Sequence, residues 1–476
     1  MSRSPRSRTV NVTADDALGT SDMTDLIARL ARREVTPALL RAAAMARAQA
    51  ANPHLNALTQ WFPAPVRTEV LVAEDAPLAG IPTFLKDNEE VAGFPTTQGS
   101  RAVIDRPAPA CSPVVAAFLS LGLDPLGATT LPEFGLTAST ESTRFGATRN
   151  PWDTGRSVGG SSGGAAALVA AGVVPIAHAN DGGGSTRIPA SCCGLVGLKP
   201  TRDRMPINPI KARVPVLITA QGVLTRTVRD HATFYAHLER ALPVAGLRPI
   251  GHVTRPGSKR LRIGVCLTAS SGLPINLATL ASARAAAELC ADLGHHVEET
   301  GPPVAAGFGR DFLRYWALLA FVLHRGGAVL YGRGFDGRRT EDVTKGLSAL
   351  LVRQADKVPG SLVRLRRLSV EHETALPQYD VLLTPVTGCP APPIGYLGPD
   401  VPFRTHLIRL IRFASMTPVQ NVSGSPAISL PLGRTSDGRP IGVQFSAPFG
   451  HERRLLELGL ELEQAAPWPT LPPATS

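Results

Sequence analysis

A chain of 476 residues with 43% apolar and 18% charged residues carries enough apolar material for a large core, which excludes wholesale disorder. The formal charge of +11 invites a nucleic-acid partner, but the 49 basic residues are 43 arginines and only six lysines. With so much Ala, Pro and Gly, that is the bias of a GC-rich genome, and no nucleic-acid partner is expected.

The elements follow in chain order. Residues 1–20 read as a mobile tail; the basic start has no apolar core segment, so it is not a secretory signal. "SDMTDLIARLARRE" and "TPALLRAAAMARAQAAN" predict two helices, the first capped by Ser21 or Asp22 and the second opened by Thr36-Pro37. "LAGIPTFLKDN" (78–88) predicts a strand ending at a polar turn, "SPVVAAFLSLG" a helix and "LDPLGATT" a short strand. Beyond the glycine-rich centre come a strand at "LRIGVCL", a helix near 276–293 and a strand at "HHVEETG". A mainly helical stretch covers 306–378, where "RLRRL" (364–368) reads as a solvated helix face and "YWALLAFVL" is too short to span a bilayer. Strands at "YDVLLTP", "PAISLPLG" and "IGVQFSAP" and the closing helix "HERRLLELGLELEQ" complete an α/β protein on a mixed sheet.

The six cysteines, Cys111, Cys192, Cys193, Cys266, Cys290 and Cys389, form no C-x-x-C pair and show no zinc spacing. Free thiols in a reducing cytoplasm are the expectation, with no metal or other cofactor and no membrane partner.

The chemistry centres on "GGSSGGAAALVAAGVVPIAHANDGGGSTRIPA" (159–190). A phosphate cradle is excluded because neither G-x-x-x-x-G-K-[ST] nor a strand-borne G-x-G-x-x-G is present. Gly159–Gly163 formally matches G-x-S-x-G, but "RNPWDTGRSV" before it is polar and turn-rich, not the buried strand such an elbow needs. A helix of about 10 residues from Gly163 rises roughly 15 Å, and a strand from Val174 to about His178 runs back roughly 16 Å. That return brings Ser185 near Ser161 and aims the helix N-terminal N–H groups into the same space. A base is still required. His178 lies inside the strand and reads as a core histidine, which leaves Lys86, at the end of an apolar strand, as the better candidate.

At these residues the sequence resembles the amidase signature hydrolases. "GRSVGGSSGG", "NDGGGSTRIPASCCGLVGLKPT", "GIPTFLKDN", "PVQNVSGSPAISLP" and the 24-position separation of Ser161 from Ser185 carry the resemblance over about residues 20–465. Within that family it is most similar to actinobacterial amidases, and 6-aminohexanoate-cyclic-dimer-hydrolase-like enzymes are nearer than the tRNA-dependent amidotransferases. The resemblance implies a central mixed, twisted β-sheet covered on both faces by α-helices. It further implies a single domain over 21–470, with a catalytic core at about 75–235 and a variable, mainly helical substrate region at about 306–420.

The resemblance also implies roles. Ser185 is the implied nucleophile of an acyl-enzyme, Ser161 the bridging serine on a cis peptide, and Lys86 the base. Gly182, Gly183 and Gly184, with Ser185 itself, are the implied main-chain oxyanion donors. Ser162, Asp181 and Arg187 are supporting residues. Ala165 and Gly182 depart mildly from the usual pattern, and Ile188 stands where amidotransferase relatives commonly carry Gln. The activity implied is hydrolysis of a small-molecule linear or cyclic carboxamide to acid plus amine or ammonia, with a homodimer as the expected partner. A glutaminase subunit of an amidotransferase and a catalytically silent scaffold are the alternatives.

Overall fold

The computed structural model describes residues 8–66, 76–209, 213–375 and 378–474. Eight strands form the main sheet in the order His296–Glu299, Arg262–Val265, Val381–Pro385, Pro440–Ser446, Ala427–Arg434, Val196–Lys199, Ala220–Thr225, Ile176–Asp181. The first three run parallel to one another and the remaining pairings are antiparallel, so the sheet is mixed, as the sequence predicts. Strands such as Val381–Pro385 and Pro440–Ser446 are buried at every position, which explains their nearly unbroken apolar runs.

Helices cover both faces. A Cβ added at Gly433 would meet Ser282 of helix Leu277–Asp292, and Ile441, its partner across the ladder, points the same way. The next residue, Gly442, would instead meet Ser191 of helix Arg187–Cys193. Successive strand residues face opposite sides, so these two helices lie on opposite faces of the sheet.

A second sheet orders Leu58–Trp61, Asp124–Thr129 and Pro82–Lys86. Its last strand is wholly buried and abuts the edge strand Ile176–Asp181 through side chains: Thr83 Oγ1 donates to Ile176 O (3.0 Å), and the Lys86 N–H donates to His178 Nδ1 (3.2 Å). This contact between sheets brings Lys86 to the glycine-rich centre.

Two expectations need correction. Residues 1–7 of the expected tail lie outside the described residues, but 8–20 are packed. Val10 and Leu18 are buried, the Val10 N–H donates to Pro151 O (2.8 Å), and Arg47 grips Asp16 through Nε and Nη2 (2.8 and 2.6 Å). Isolated apolar residues in a polar stretch had hidden that packing. The glycine-rich helix, Gly163–Ala170, also spends its first N–H groups inside the protein rather than on the open site. Those of Ser162, Gly163 and Gly164 donate to Ser185 O (3.2 Å), Thr140 Oγ1 (3.2 Å) and Thr130 O (3.3 Å), so the protein itself satisfies the helix start. The predicted return holds: the edge strand Ile176–Asp181 carries the chain back to Ser185 beside that helix start.

Helices Phe308–Tyr331, Asp342–Arg353 and Val358–Ala375 fill the predicted helical stretch. In "RLRRL", Leu365 and Leu368 are buried, Arg364 pairs with Asp311 (2.6 Å) and Arg366 Nε donates to Pro215 O (3.0 Å), which makes it one amphipathic face. Among the described residues no helix is long and apolar enough to cross a membrane.

Candidate active site

Lys86 ends its strand with no exposed surface and directs Nζ to three acceptors: Ser161 Oγ (2.7 Å), Ser162 Oγ (2.9 Å) and Asn180 Oδ1 (2.7 Å). Ser161 follows Gly160 across a cis peptide bond. Ser162 Oγ in turn donates to Asn180 O (3.2 Å), while Asn180 Nδ2 donates to Asn88 Oδ1 (3.0 Å) and fixes which end of that amide faces the lysine. His178 is the core histidine expected. Its Nδ1 accepts from the Lys86 backbone and its Nε2 lies 3.0 Å from Gln221 Oε1, so both ring nitrogens are occupied away from the serines. Next to Lys86, burial pushes the Asp87 carboxyl up to about 7 against the opposing donors of Thr97.

Ser161 and Ser185 are brought together by the main chain, through Ser162 N–H to Ser185 O, but their hydroxyls are not hydrogen-bonded to each other. Of the three expected residues Ser185 is the most open: it keeps 8% exposure, against 2% for Ser161 and none for Lys86. Catalytic hydrogen bonds are commonly long in unliganded sites and tighten when substrate is bound.

Asp181 and Arg187 organise the turn between them. Both are fully buried and paired twice, Arg187 Nη2 to Asp181 Oδ1 and Nε to Oδ2, each at 2.9 Å. The same carboxylate accepts the N–H groups of Gly184 (2.7 Å) and Thr186 (3.1 Å) and the Asn421 amide (2.8 Å). Burial alone would raise the Asp181 pKa; the Arg187 charge and these donors outweigh it and hold the carboxyl well below the usual range. Gly184 is therefore not placed as an oxyanion donor, because its N–H already belongs to Asp181. Gly182, Gly183 and Ser185 supply the N–H groups of this turn that are not tied to that carboxylate. Gly184 also needs to be glycine: its φ is +121°, and a Cβ would lie 2.2 Å from Thr417 Oγ1.

Above Ser185 opens a recess of about 110 Å³. Leu136 and Ile188 line it from the catalytic side, Phe312 and Trp316 from helix Phe308–Tyr331, and Leu407 and Ile411 from helix Phe403–Ala414. Among the described residues that line it there is no Asp, Glu, Lys, Arg or His. Nor do the described residues contain a cluster of three or more His, Cys, Asp or Glu placed to hold a metal ion.

The sequence reasoning missed Asn180, Thr417, Asn421 and Gln444. Thr417 Oγ1 donates to Gly183 O (2.6 Å), and Gln444 Oε1 accepts from Arg187 Nη1 (2.7 Å). A signal for two of them was present, since Asn180 lies in "NDGGGS" and Asn421 in "PVQNVSG".

The amidase family model matches residues 39–456. The chain is 45% identical to the putative amidase AmiC of Mycobacterium leprae over 467 residues, covering 96% of this chain and 98% of that protein. It is 37% identical to the 6-aminohexanoate-cyclic-dimer hydrolase of Pseudomonas sp. (strain NK87), with 91% and 92% covered. The structure of a 6-aminohexanoate cyclic dimer hydrolase complexed with substrate superposes with a TM-score of 0.84 at 32% identity, covering 94% of this chain and 98% of that one. Matched in fold and over nearly its whole length, this chain belongs to the amidase family, hydrolases of amide carbon–nitrogen bonds.

Proposed function

We propose that this site hydrolyses a linear or cyclic carboxamide to acid plus amine or ammonia, with Ser185 as nucleophile and Lys86 as base acting through Ser161. The observation that carries this reading is the unequal character of three side chains around Lys86 Nζ: Ser161, Ser162 and Asn180. An ammonium has three donors and no lone pair, so a neutral lysine must receive one hydrogen bond in place of giving it. Asn180 Oδ1 can only accept, and the Ser162 hydroxyl proton is directed to Asn180 O. Ser161 Oγ, 2.7 Å from Nζ, can reverse and donate to it. A proton drawn from Ser185 thus has a route to the amine through Ser161.

In the forward step Ser185 Oγ bonds to the amide carbon as its proton passes to Ser161 Oγ and that of Ser161 to Lys86 Nζ. The oxyanion is met by the N–H groups of Gly182, Gly183 and Ser185; each such donor is worth on the order of 3 kcal/mol in the transition state. Collapse breaks the C–N bond while the proton returns along the relay to the leaving nitrogen. Water then releases the acid by the same route. Ser162 and Asn180 hold Lys86 in place, and the Asp181–Arg187 pair holds the donor turn.

The test is Ser185→Ala. Turnover of amides and labelling by a fluorophosphonate are both expected to vanish while the circular dichroism spectrum is unchanged. A variant that still turns over at near wild-type rate overturns the assignment.

A further inference from the structure

The recess also carries information about what it takes. Resting on the amide-hydrolase reading above, we propose that the substrate is a neutral amide bearing one apolar ring, or a chain of similar bulk, seated against Trp316, and that a charged group at that position is rejected.

Charge is the first argument. An ion moved from water into a recess without a counter-ion loses hydration that the hydroxyls of Thr137, Ser270, Ser271 and Ser415 replace only in part, since they bring no opposite charge. The charged groups on the catalytic side cannot serve. Asp181 and Arg187 are sealed beneath the turn and satisfy each other, and Lys86 is buried behind Ser161. Among the described lining residues, glutamine's ammonium and carboxylate would find no ionic partner.

Size is the second. At about 110 Å³ the recess is of the same order as the roughly 150 Å³ apolar cavity known to hold a benzene molecule.

Shape is the third. Phe308, Phe312 and Trp316 recur at four-residue spacing on one helix face and stack in series, with centroids 6.1 Å and 5.6 Å apart and planes inclined 27° and 26°. Trp316 Nε1 donates to Leu136 O (3.1 Å), which fixes the indole. A Cβ on Gly183 would meet Phe312 Cζ at 3.6 Å and the distal ring edge of Trp316, with Cη2 and Cζ3 each 3.8 Å away. A flat apolar wall therefore stands directly beside the turn that carries Ser185, and offset or edge contacts with a second ring are favourable there.

The experiment compares kcat/KM at pH 7.5 for benzamide, 4-carboxybenzamide, 4-(aminomethyl)benzamide, acetamide and glutamine, with fluorophosphonate titration of active enzyme. Benzamide is expected to exceed both charged rings and glutamine by about a hundredfold or more, and acetamide by at least about tenfold. Trp316→Ala should lower the benzamide-to-acetamide ratio by about tenfold. Ile411→Asp should raise the aminomethyl compound relative to benzamide by a similar factor. Charged rings or glutamine hydrolysed as well as benzamide by enzyme that labels normally would overturn this proposal and leave the hydrolase reading standing. Absence of both labelling and turnover on every amide would overturn the hydrolase reading, and this proposal with it. The wild-type series decides the matter even if either variant fails to fold.

Discussion

Three hydrogen bonds of 2.7 to 2.9 Å fix a single amine at Lys86, whereas across the recess Phe312 and Ile411 offer carbon surfaces with no polar group to aim. The difference lies in tolerance. A buried donor must find an acceptor at the right distance and angle, so the residue type at each position is nearly dictated. An apolar wall asks only for volume and shape, and many hydrophobic side chains provide those about equally well. Substitutions should therefore act in opposite ways: all or nothing in the polar cluster, graded and substrate-dependent in the recess.

The strongest break in that comparison is Lys86→Met, which removes the base while keeping most of the volume. kcat is expected to fall by about three orders of magnitude or more, with substrate binding changed far less, as befits a group that serves proton transfer. Steady-state kinetics with active-site titration checks it, and a variant that keeps near wild-type kcat would point to a different base.

The same contrast decides which features are legible in the sequence. The strand ending at Lys86, the helix and returning strand that bring Ser185 back to Ser161, and the mixed sheet can all be read, because glycine, serine and lysine at these spacings fit few backbone arrangements. Asn180 is missed although it opens "NDGGGS", because that stretch marks it as part of the site without showing its role, which appears only when Lys86 is seen against it. Gly184 is misread. Its N–H sits in an oxyanion-like series by sequence, and only the position of the Asp181 carboxylate reveals that it is taken. Phe312, Trp316, Leu407 and Ile411 cannot be singled out at all. They come from two helices distant in sequence, and their periodicity is that of any amphipathic helix.

A second, smaller break concerns the ion pair beneath the donor turn. Arg187→Met leaves the Asp181 carboxylate buried without its cation, which should cost on the order of 3–5 kcal/mol of stability and reduce activity by loosening the Gly182–Ser185 turn. Acid sensitivity supplies the sign. The folded-state pKa of Asp181 lies below its unfolded value, so its stabilisation is fully present above the ordinary carboxylate range, near 4, and is lost as pH falls through the folded value. In Arg187→Met that term is reduced or reversed, because burial then acts with less opposition. Urea denaturation at pH 4 and pH 7 should show the variant's deficit to be larger at pH 7. An equal deficit at both values would mean that the pair contributes through packing alone.

The smallest expected effect lies where the two regions meet. Glu133 precedes the Phe134–Leu136 turn that borders the recess, and Glu341 leads into helix Asp342–Arg353. The Glu341 N–H donates to Glu133 Oε2 (2.7 Å), and Glu341 Oε1 accepts from the Thr143 N–H (2.6 Å). Burial, and next the neighbouring Glu133 carboxyl, push Glu341 up to about 7. Its folded pKa thus exceeds the unfolded value of 4.5, so the folded state holds the extra proton between these values and stability declines as pH rises from about 4.5 to about 7. Glu341→Gln cannot titrate, and its amide oxygen can still accept from Thr143. The variant should therefore match wild type near pH 5 and exceed it at pH 8, by on the order of 1–2 kcal/mol. In a chain of this length that is a rise in Tm of only about 1–2 °C. Thermal melts at the two pH values decide it: a gain as large at pH 5 as at pH 8 would place the benefit in packing and remove the carboxyl pair as its cause.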